Sequence, residues 1–397
     1  MSKEKRRVPK LRFPGFTEDW EQRKLSEITT CFDNLRVPVT TSDRVSGKTP
    51  YYGANGIQDY VSGNTHSGEF VLIAEDGAND LNDYPVQYVN GEIWVNNHAH
   101  VIAGFKEKLD NKFLSYALKT VKMTTFIVGS GRSKLNLKAL LEIPISMPNY
   151  NEQCFVGKFI DKIDTNITLH QRKLEHLNLK KKALLQKLFP KNGECYPELR
   201  FPGFTDAWEQ RKLCQITTRV TRKNGSQSDL PLTISAQDGL VDQRKYFNRQ
   251  VASRDMSNYY LIKKGEFAYN KSYSEGYPFG AVKRLDYYDI GALSTLYILF
   301  EITDNNISSD FIVSYYMTHL WYKEISKRAA EGARNHGLLN ISTEDFFDSE
   351  LNIPTSIEEQ VKIGNFIKQF DKFITLHQRK LDHLQLQKKA LLQQMFV

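Results

Sequence analysis

The sequence predicts an α+β protein in which two mixed α/β domains are separated by two long antiparallel coiled-coil helices, related by a pseudo-twofold internal repeat. Three observations predict this fold. Nearly identical segments occur twice along the 397 residues, a heptad pattern of apolar residues closes each half, and strand-like segments fill the regions between them. The chain is long enough for two domains, because a single core rarely grows beyond roughly 250 residues.

The first element of the repeat is a segment that we call the RFPGF motif. LRFPGFTEDWEQRKL at 11–25 returns as LRFPGFTDAWEQRKL at 199–213, with differences at Glu18 and Asp19 of the first copy. Identity over this length between distant parts of one chain indicates a duplication. The period, near 200 residues, is far longer than that of a solenoid repeat, so each copy is a domain-sized half.

The second element of each half is a long middle segment of mixed α/β character. FVLIAED, GEIWVNN and HVIAG in the first middle, and LIKKGEFAYN and ALSTLYILFEI in the second, have the alternation and length of strands. FLSYALKTV and FIVSYYMTHLWYKEISKRAA have the pattern of helices. The two middles hardly match each other, so the repeat predicts one shared scaffold that presents two different specificities.

The third element is a helical tail at 159–189 and again at 366–396, free of Gly and Pro. Its apolar positions alternate spacings of three and four, which is the seam of a coiled coil. The predicted pairing residues are Ile163, Ile167, His170, Leu174, Leu177, Lys181 and Leu184 in the first tail, and Phe370, Ile374, His377, Leu381, Leu384, Lys388 and Leu391 in the second. The tails are expected to pair antiparallel; the alternative is that each covers only its own domain.

These elements predict four segments along the chain. They are an N-terminal domain at 1–157, a central helical spacer at 158–191, a C-terminal domain at 192–357 and a C-terminal helical spacer at 358–397. The net charge of +8 and the isoelectric point near 9.0 suggest an acidic partner. The positive charge is concentrated in the N-terminal residues and the two tails, whereas both middles are mildly acidic.

Several kinds of chemistry lack a signature in the sequence. GKT at 47–49 lacks the glycine of a phosphate-binding loop, because Ser42 stands at that position. The cysteines show no metal-ligand spacing, so we expect no metal and reduced thiols. Neither an adenine-methyltransferase motif nor a nucleophile with its base can be assigned, so we predict no catalytic residue. Without an apolar span or a secretory signal, we expect a cytoplasmic protein and no membrane partner.

An RFPGF motif, a variable domain and a long helix, all repeated once, resemble the specificity subunit of type I restriction-modification systems. The resemblance covers essentially the whole chain, and both copies of the RFPGF motif and the repeated TLHQRKL of the tails are typical of bacterial members. It implies two target recognition domains that read a bipartite, asymmetric site on double-stranded DNA, one half-site per domain. It also implies a chain without an active site.

The resemblance further implies partners and their cofactors. Two modification subunits would use S-adenosylmethionine to methylate adenine, and restriction subunits would use ATP and Mg while translocating and cutting DNA. This chain would bind no cofactor itself and would serve as their scaffold. The partner surface is expected on the helices and the RFPGF motifs, because the two halves share those segments.

Candidate DNA-binding residues carry donors, acceptors or aromatic rings on predicted loops. In the first domain they are Ser130, Arg132 and Lys134 on the Gly-rich VGSGRSKLN, then Tyr51, Tyr52, Asn55, Gln58, Asn96, Asn97 and His98. In the second domain they are Arg334, Asn335 and His336 on the matching EGARNHGLLN, then Gln237, Asn270, Lys271, Ser272 and Tyr273. Turn chemistry or a satisfied polar group in the core is the alternative for each of them.

Two questions stay open at this level. The basic residues of the tails are equally compatible with a DNA-facing surface and with a solvated or partner-facing one. Two other functions also remain as alternatives, a stand-alone DNA-modifying enzyme with unrecognised motifs, and a coiled-coil adaptor whose lobes bind protein or carbohydrate.

Overall fold

The computed structural model describes residues 8–128, 134–191, 193–249, 251–329 and 339–396. The chain folds as two compact units, one made of Met1–Arg172 with Gln378–Val397 and the other of Lys173–His377. Each unit therefore contains the lobe of one half, together with segments of two long helices. We call residues 8–149 the first lobe and residues 193–356 the second lobe.

The first lobe is built mainly from antiparallel strands and is followed directly by a long helix. Its strands are β1 (Glu21–Lys24), β2 (Thr29–Cys31), β3 (Ser46–Gly53), β4 (Gly56–Val61), β5 (His66–Ala74), β6 (Val86–Val95), β7 (Ala99–Gly104) and β8 (Pro144–Met147). Its helices are α1 (Leu25–Ile28), α2 (Asn111–Thr120) and α3 (Leu137–Leu141), with 3-10 turns at Asp33–Leu35, Thr41–Asp43 and Met123–Thr125, and the long helix is α4 (Tyr150–Leu188).

A six-stranded sheet in the order β2-β7-β5-β6-β3-β4 forms the centre of the first lobe. The strand β5 is buried along most of its length because it lies between β7 and β6 and is covered by α2. The strand β3 pairs with β6 in parallel, which places the residues after β6 beside Tyr52. One end of the sheet therefore collects several chain segments that are distant in sequence.

The second lobe has smaller sheets and ends in another long helix. Its strands are β9 (Glu209–Lys212), β10 (Thr217–Val220), β11 (Leu232–Ser235), β12 (Gly239–Asp242), β13 (Tyr260–Lys263), β14 (Phe267–Asn270), β15 (Ala281–Arg284), β16 (Ile290–Leu293), β17 (Ile298–Ile302) and β18 (Glu350–Ile353). Its helices are α5 (Leu213–Ile216), α6 (Gln243–Phe247), α7 (Ser309–Tyr316), α8 (Leu320–Arg328) and α9 (Thr343–Phe347), and the long helix is α10 (Ile357–Met395). The largest sheet has the order β10-β17-β14-β15.

The mixed α/β character of both middles is confirmed. In the first lobe the predicted strands correspond to β5, β6 and β7, and the predicted helix to α2. In the second lobe, however, each long predicted segment is divided. LIKKGEFAYN forms β13 and β14 around a turn at Gly265, and the helical segment breaks between α7 and α8. Turns within apolar segments are difficult to locate from periodicity alone.

The two RFPGF motifs make the same contacts in both units. The strand β1 pairs with β8, and its counterpart β9 pairs with β18, antiparallel in both cases. The guanidinium of Arg12 lies 2.7 Å from the buried carboxylate of Glu152, at the start of α4. Its equivalent Arg200 lies 2.8 Å from Glu359 at the start of α10. The repeated sequence thus fixes each RFPGF motif onto the first turn of the long helix of its own half.

The two long helices run antiparallel, as predicted. In the first unit Lys388 of α10 lies 2.5 Å from Asp164 of α4, and in the second unit Lys181 of α4 lies 2.5 Å from Asp371 of α10. The internal repeat relates these two ion pairs, because Asp164 and Lys181 of the first tail correspond to Asp371 and Lys388 of the second. Every predicted seam residue is buried or half-buried. The seam lysines are thus paired with aspartates that flank the seam on the other helix.

The core of the first lobe is completed by the end of α10. Phe396 is 9% exposed and packs in this core with Met395. Its ring stacks on Phe113 of α2 with centroids 5.4 Å apart, and Trp20 of the first RFPGF motif lies 5.7 Å from the same Phe113. The last turn of the C-terminal helix is therefore part of the hydrophobic core of the first lobe.

The second lobe repeats this arrangement with the end of α4. Phe189 stacks on Phe311 of α7 with centroids 5.5 Å apart, and Trp208 lies 5.7 Å from Phe311. These residues occupy the places of Phe396, Phe113 and Trp20 in the first unit. Each long helix thus begins in the core of its own lobe and ends in the core of the other unit, so the idea that a tail covers only its own lobe is wrong.

The seam ion pairs provide a test of the antiparallel register. Lys388→Asp is expected to destabilise the first unit, because it places two carboxylates together, and adding Asp164→Lys is expected to restore stability. Since both groups are partly exposed, the coupling free energy should be about 1 kcal/mol or less. A double-mutant cycle by thermal unfolding measures it. Strictly additive effects of the two substitutions would contradict the observed register.

Candidate nucleic-acid interface

Predicted DNA-binding residues of the first lobe meet at one end of the six-stranded sheet. The amide of Asn96, directly after β6, donates to Gln58 Oε1 of β4 at 3.4 Å. Its own oxygen accepts from the backbone N–H of His98 at 2.8 Å, and His98 Nδ1 lies 2.6 Å from Asp76 Oδ1 after β5. The sheet order therefore gathers polar groups from the ends of β5 and β6 and from β4 into one cluster.

The residues of this cluster differ in how accessible they are. Asn55, Gln58 and Asn97 are exposed, and the side chain of His98 is 39% exposed. Asn96 is 4% exposed and its side chain is engaged with its neighbours, so it positions the cluster. Asn55 donates to the carbonyl of Gly77 at 2.9 Å. The exposed members are those able to meet a base edge.

The prediction for Tyr51 needs a correction. Tyr51 is 1% exposed, and its hydroxyl bonds both the N–H and the carbonyl of Val39. The guanidinium of Arg44 also covers its ring at 4.2 Å. This tyrosine is a core residue and offers no surface to a ligand. Tyr52, its neighbour on the opposite side of β3, is half-buried.

Lys134 joins a buried ionic network beside the cluster. Its ammonium lies 2.9 Å from Glu75, which also receives the guanidinium of Arg36 at 2.7 Å. His100 lies 2.6 Å from Asp33 in the same network. Burial opposes the ionisation of Glu75, but hydrogen bonds from Arg36 and Lys134 outweigh it and lower the pKa of Glu75. Lys134 is therefore at least partly a structural residue.

The carboxylates and imidazole of Asp33, Glu75 and His100 lie within 4.8 Å of one another, a spacing that a metal ion would accept. Arg36, however, lies 2.7 Å from Glu75 and 3.3 Å from Asp33. Burial opposes ionisation of Asp33, but hydrogen bonds from His100 and Val101 outweigh it and lower the pKa of Asp33. The protein's own cations already balance these carboxylates, so the cluster is best explained as structural.

The most strongly predicted residues lie outside the described part of the chain. They are Ser130 and Arg132 in the first lobe and Arg334, Asn335 and His336 in the second. The flanks of both segments are described. Leu135 donates its N–H to the carbonyl of Glu75 after β5 at 2.7 Å, and Leu339 donates to the carbonyl of Lys271 after β14 at 3.0 Å. The first described leucine after each Gly-rich segment thus makes a similar backbone hydrogen bond, to a residue just beyond a strand of its own lobe.

The second lobe brings its predicted residues to the wall of a cavity of about 330 Å³. Gln237, Asn270 and Ser272 line it, whereas Tyr273 is 57% exposed outside it. Lys271 instead donates to the carbonyl of Ile341 at 3.2 Å, which ties it to the segment after Leu339. Gln237, from the turn between β11 and β12, therefore shares one site with Asn270 and Ser272, which lie at the end of β14 and just after it.

Several further lining residues were not predicted, among them Asp238, Tyr246 and Tyr277. Asp238 follows Gln237 in a turn, and this turn chemistry was the available signal. Tyr246 and Tyr277 also line the cavity. They come from α6 and from the loop before β15, so no local pattern in the sequence connects them with Gln237.

A smaller cavity of about 230 Å³ in the first lobe has Asn55 and Lys119 in its wall. Burial and then the charge of Lys388 lower the pKa of Lys119. Because the carboxylate of Asp83 lines the same cavity, the charges around it are mixed. We therefore assign no ligand to it.

A repeated frame that carries two dissimilar lobes, each with polar side chains gathered at strand ends, defines a two-domain recognition protein. The chain belongs to the type I restriction modification DNA specificity domain family, whose model matches residues 17–179 and 244–386. In the described part of the chain, no helix is both long enough and apolar enough to cross a membrane.

Individual proteins show the same similarity. A putative type I restriction enzyme specificity subunit of Haemophilus influenzae is 48% identical over 143 residues, which span 36% of this chain and 37% of that protein. A type I restriction enzyme specificity subunit of Methanocaldococcus jannaschii is 21% identical over 96% of this chain and 92% of its own length. The crystal structure of an S subunit from M. genitalium shares the fold, with a TM-score of 0.69, 14% identity and coverage of 98% and 99%.

Proposed function

We propose that this chain is the non-catalytic subunit that reads a bipartite, asymmetric double-stranded DNA target, with one half-site per lobe. The observation that carries this proposal is the contrast between the two kinds of segment. RFPGF motifs and helix seams make matched contacts in both units, whereas the polar surfaces of the lobes differ in sequence and in shape. Base contacts specify a sequence, so two different surfaces read two different half-sites.

The same frame would carry partner subunits. Four leucines on the outer faces of the long helices are widely exposed. In the first unit they are Leu169 at 63% and Leu386 at 69%, and in the second unit Leu376 at 62% and Leu179 at 68%. The repeat places the same pair on each unit, which offers two equivalent docking faces and hence a place for two identical modification subunits.

The cofactors of the complete enzyme would belong to those partners. Modification subunits would use S-adenosylmethionine, and restriction subunits would use ATP and Mg. The chain alone should bind DNA weakly, because both lobes are mildly acidic. Affinity and specificity should rise once the modification subunits add their own contacts.

We predict that Leu169→Asp with Leu386→Asp removes one modification subunit, and that all four leucine substitutions remove both. A buried carboxylate at a docking surface costs several kcal/mol unless it is paired. Native mass spectrometry of the purified complex counts the subunits. Leu296→Asp is the matched control, since Leu296 is 62% exposed in a loop of the second lobe.

Two results would speak against the proposal. If the variant with all four leucine substitutions still retained both modification subunits, the exposed leucines would not be the docking surface. DNA methylation by the chain in the absence of any partner would favour the stand-alone enzyme. If the chain bound protein or carbohydrate ligands but no DNA, even with modification subunits, the adaptor function would replace the proposed one.

A further inference from the structure

The cavity of the second lobe has a shape that differs from the usual surface for reading DNA. Side chains that read a base pair must project from the protein into a groove of the duplex. Gln237, Asn270 and Ser272 instead line a recess of about 330 Å³. Gln237 is exposed at the rim, whereas Asn270 and Ser272 are half-buried, so a base that projects into the recess is placed to reach all three.

The charges and rings around the cavity indicate which part of DNA fits. Among the residues that the structure describes, its lining contains the carboxylates of Asp238 and Glu275 and no lysine or arginine. The described lining therefore does not favour a phosphate group. Tyr246 and Tyr277 contribute aromatic rings to the lining, and an unstacked base gains free energy by stacking on such rings. Carboxylate acceptors suit the amino and imino donors of a base edge.

The polar wall of the cavity is held in place before any ligand binds. Ser235 donates its hydroxyl to Asp238 Oδ2 at 2.8 Å, which fixes the orientation of that carboxylate. Asn270 Oδ1 accepts the N–H of Ser272 at 3.0 Å. Gly280 has a φ of +79°, and a Cβ built on it would lie 2.0 Å from the carbonyl oxygen of Asn270. Only glycine allows this close approach beside Ala281 of the cavity wall.

We propose that this cavity binds a nucleobase of the second half-site that has left the base stack, stacked against tyrosine and hydrogen-bonded through its donor edge. This inference rests on the proposed DNA-reading function. Unstacking a base costs free energy, and a pocket with aromatic and polar walls offsets that cost. The second half-site would thus be read partly by the ease with which one base leaves the helix.

The test uses the complete chain with its modification subunits and a target duplex carrying 2-aminopurine, whose fluorescence rises when it unstacks. The probe is placed in turn at each position of the second half-site, except at the adenine that becomes methylated, because methyltransferases extrude their own target base. We expect a several-fold rise in fluorescence at one position. Tyr246→Ala and Gln237→Ala should each remove at least half of that rise.

Two controls keep the test specific to the cavity. Tyr287→Ala should leave the signal intact, because Tyr287 is 77% exposed and does not line the cavity. Thermal unfolding should be unchanged for Gln237→Ala, since Gln237 is exposed on a turn. Free nucleosides, added as competitors, show whether the cavity takes a base only from DNA.

The possible failures can be told apart. If the complex methylates its target normally but the fluorescence of 2-aminopurine rises at no position, the inference is overturned while the proposed function stands. The same holds if the fluorescence rises equally with the unmodified chain, with Tyr246→Ala and with Gln237→Ala. Binding of free nucleosides without a duplex signal also overturns it. Loss of all sequence-specific binding by the unmodified complex would overturn the proposed function itself.

Discussion

Exchange of residues 26–149 for the corresponding segment of a relative is expected to change one half of the recognised DNA sequence and to leave the other half and the spacer unaltered. The contact of Arg12 with α4 and the seam pair of Lys388 with Asp164 lie outside the exchanged segment, so the frame stays intact. Mapping of methylated sites with the exchanged chain measures the result. The change in the first half-site should be complete, because the exchanged chain keeps none of the residues that contact this half-site.

The reciprocal exchange provides the matched control for this prediction. Replacing residues 214–356 of the second half should change the other half-site alone. If either exchange altered both half-sites or the spacer, the lobes would not read independently. The assignment of one half-site per lobe would then be wrong.

Phe396→Ala is expected to destabilise the first unit by about 3 kcal/mol, because it removes a buried ring and leaves a cavity against Phe113 and Trp20. Phe189→Ala should have a similar effect on the second unit, where the ring stacks on Phe311. Calorimetry of the purified chain measures both changes in stability.

The control for these substitutions lies on the same helix as Phe396. Phe373 of α10 is 54% exposed, so Phe373→Ala should change stability by no more than about 0.5 kcal/mol. Equal effects of Phe373→Ala and Phe396→Ala would contradict the insertion of the helix end into the first core.

The frame was largely predictable from sequence because duplication and periodicity are local signals. The heptad spacing identified the seam, including the unusual Lys181 and Lys388. The aspartates that pair with these lysines were not predicted, since identifying Asp164 and Asp371 requires the register between two helices. Phe396 posed the same problem, because its core partners lie in a segment far away along the chain.

The candidate site was less predictable because its residues depend on which strand ends meet. Residue type singled out Gln58 and Asn96 as candidates, and the order of the sheet brings them within hydrogen-bond distance of each other. It also included Tyr51, which is buried, and Tyr52, which is half-buried and packs against the apolar cluster that contains Val95. Strand alternation predicts that neighbouring residues face opposite sides of a sheet. It does not identify which residues are buried when the rest of the protein covers the two faces of the sheet to different extents.

The central claim is that two dissimilar lobes on one repeated frame read two half-sites. Single-molecule sequencing of methylated genomic DNA, with and without the gene for this chain, tests it most directly. We predict one methylated motif that depends on the gene and consists of two different half-sites separated by a spacer of fixed length and free sequence. A continuous motif, a palindrome or no gene-dependent methylation would contradict the claim.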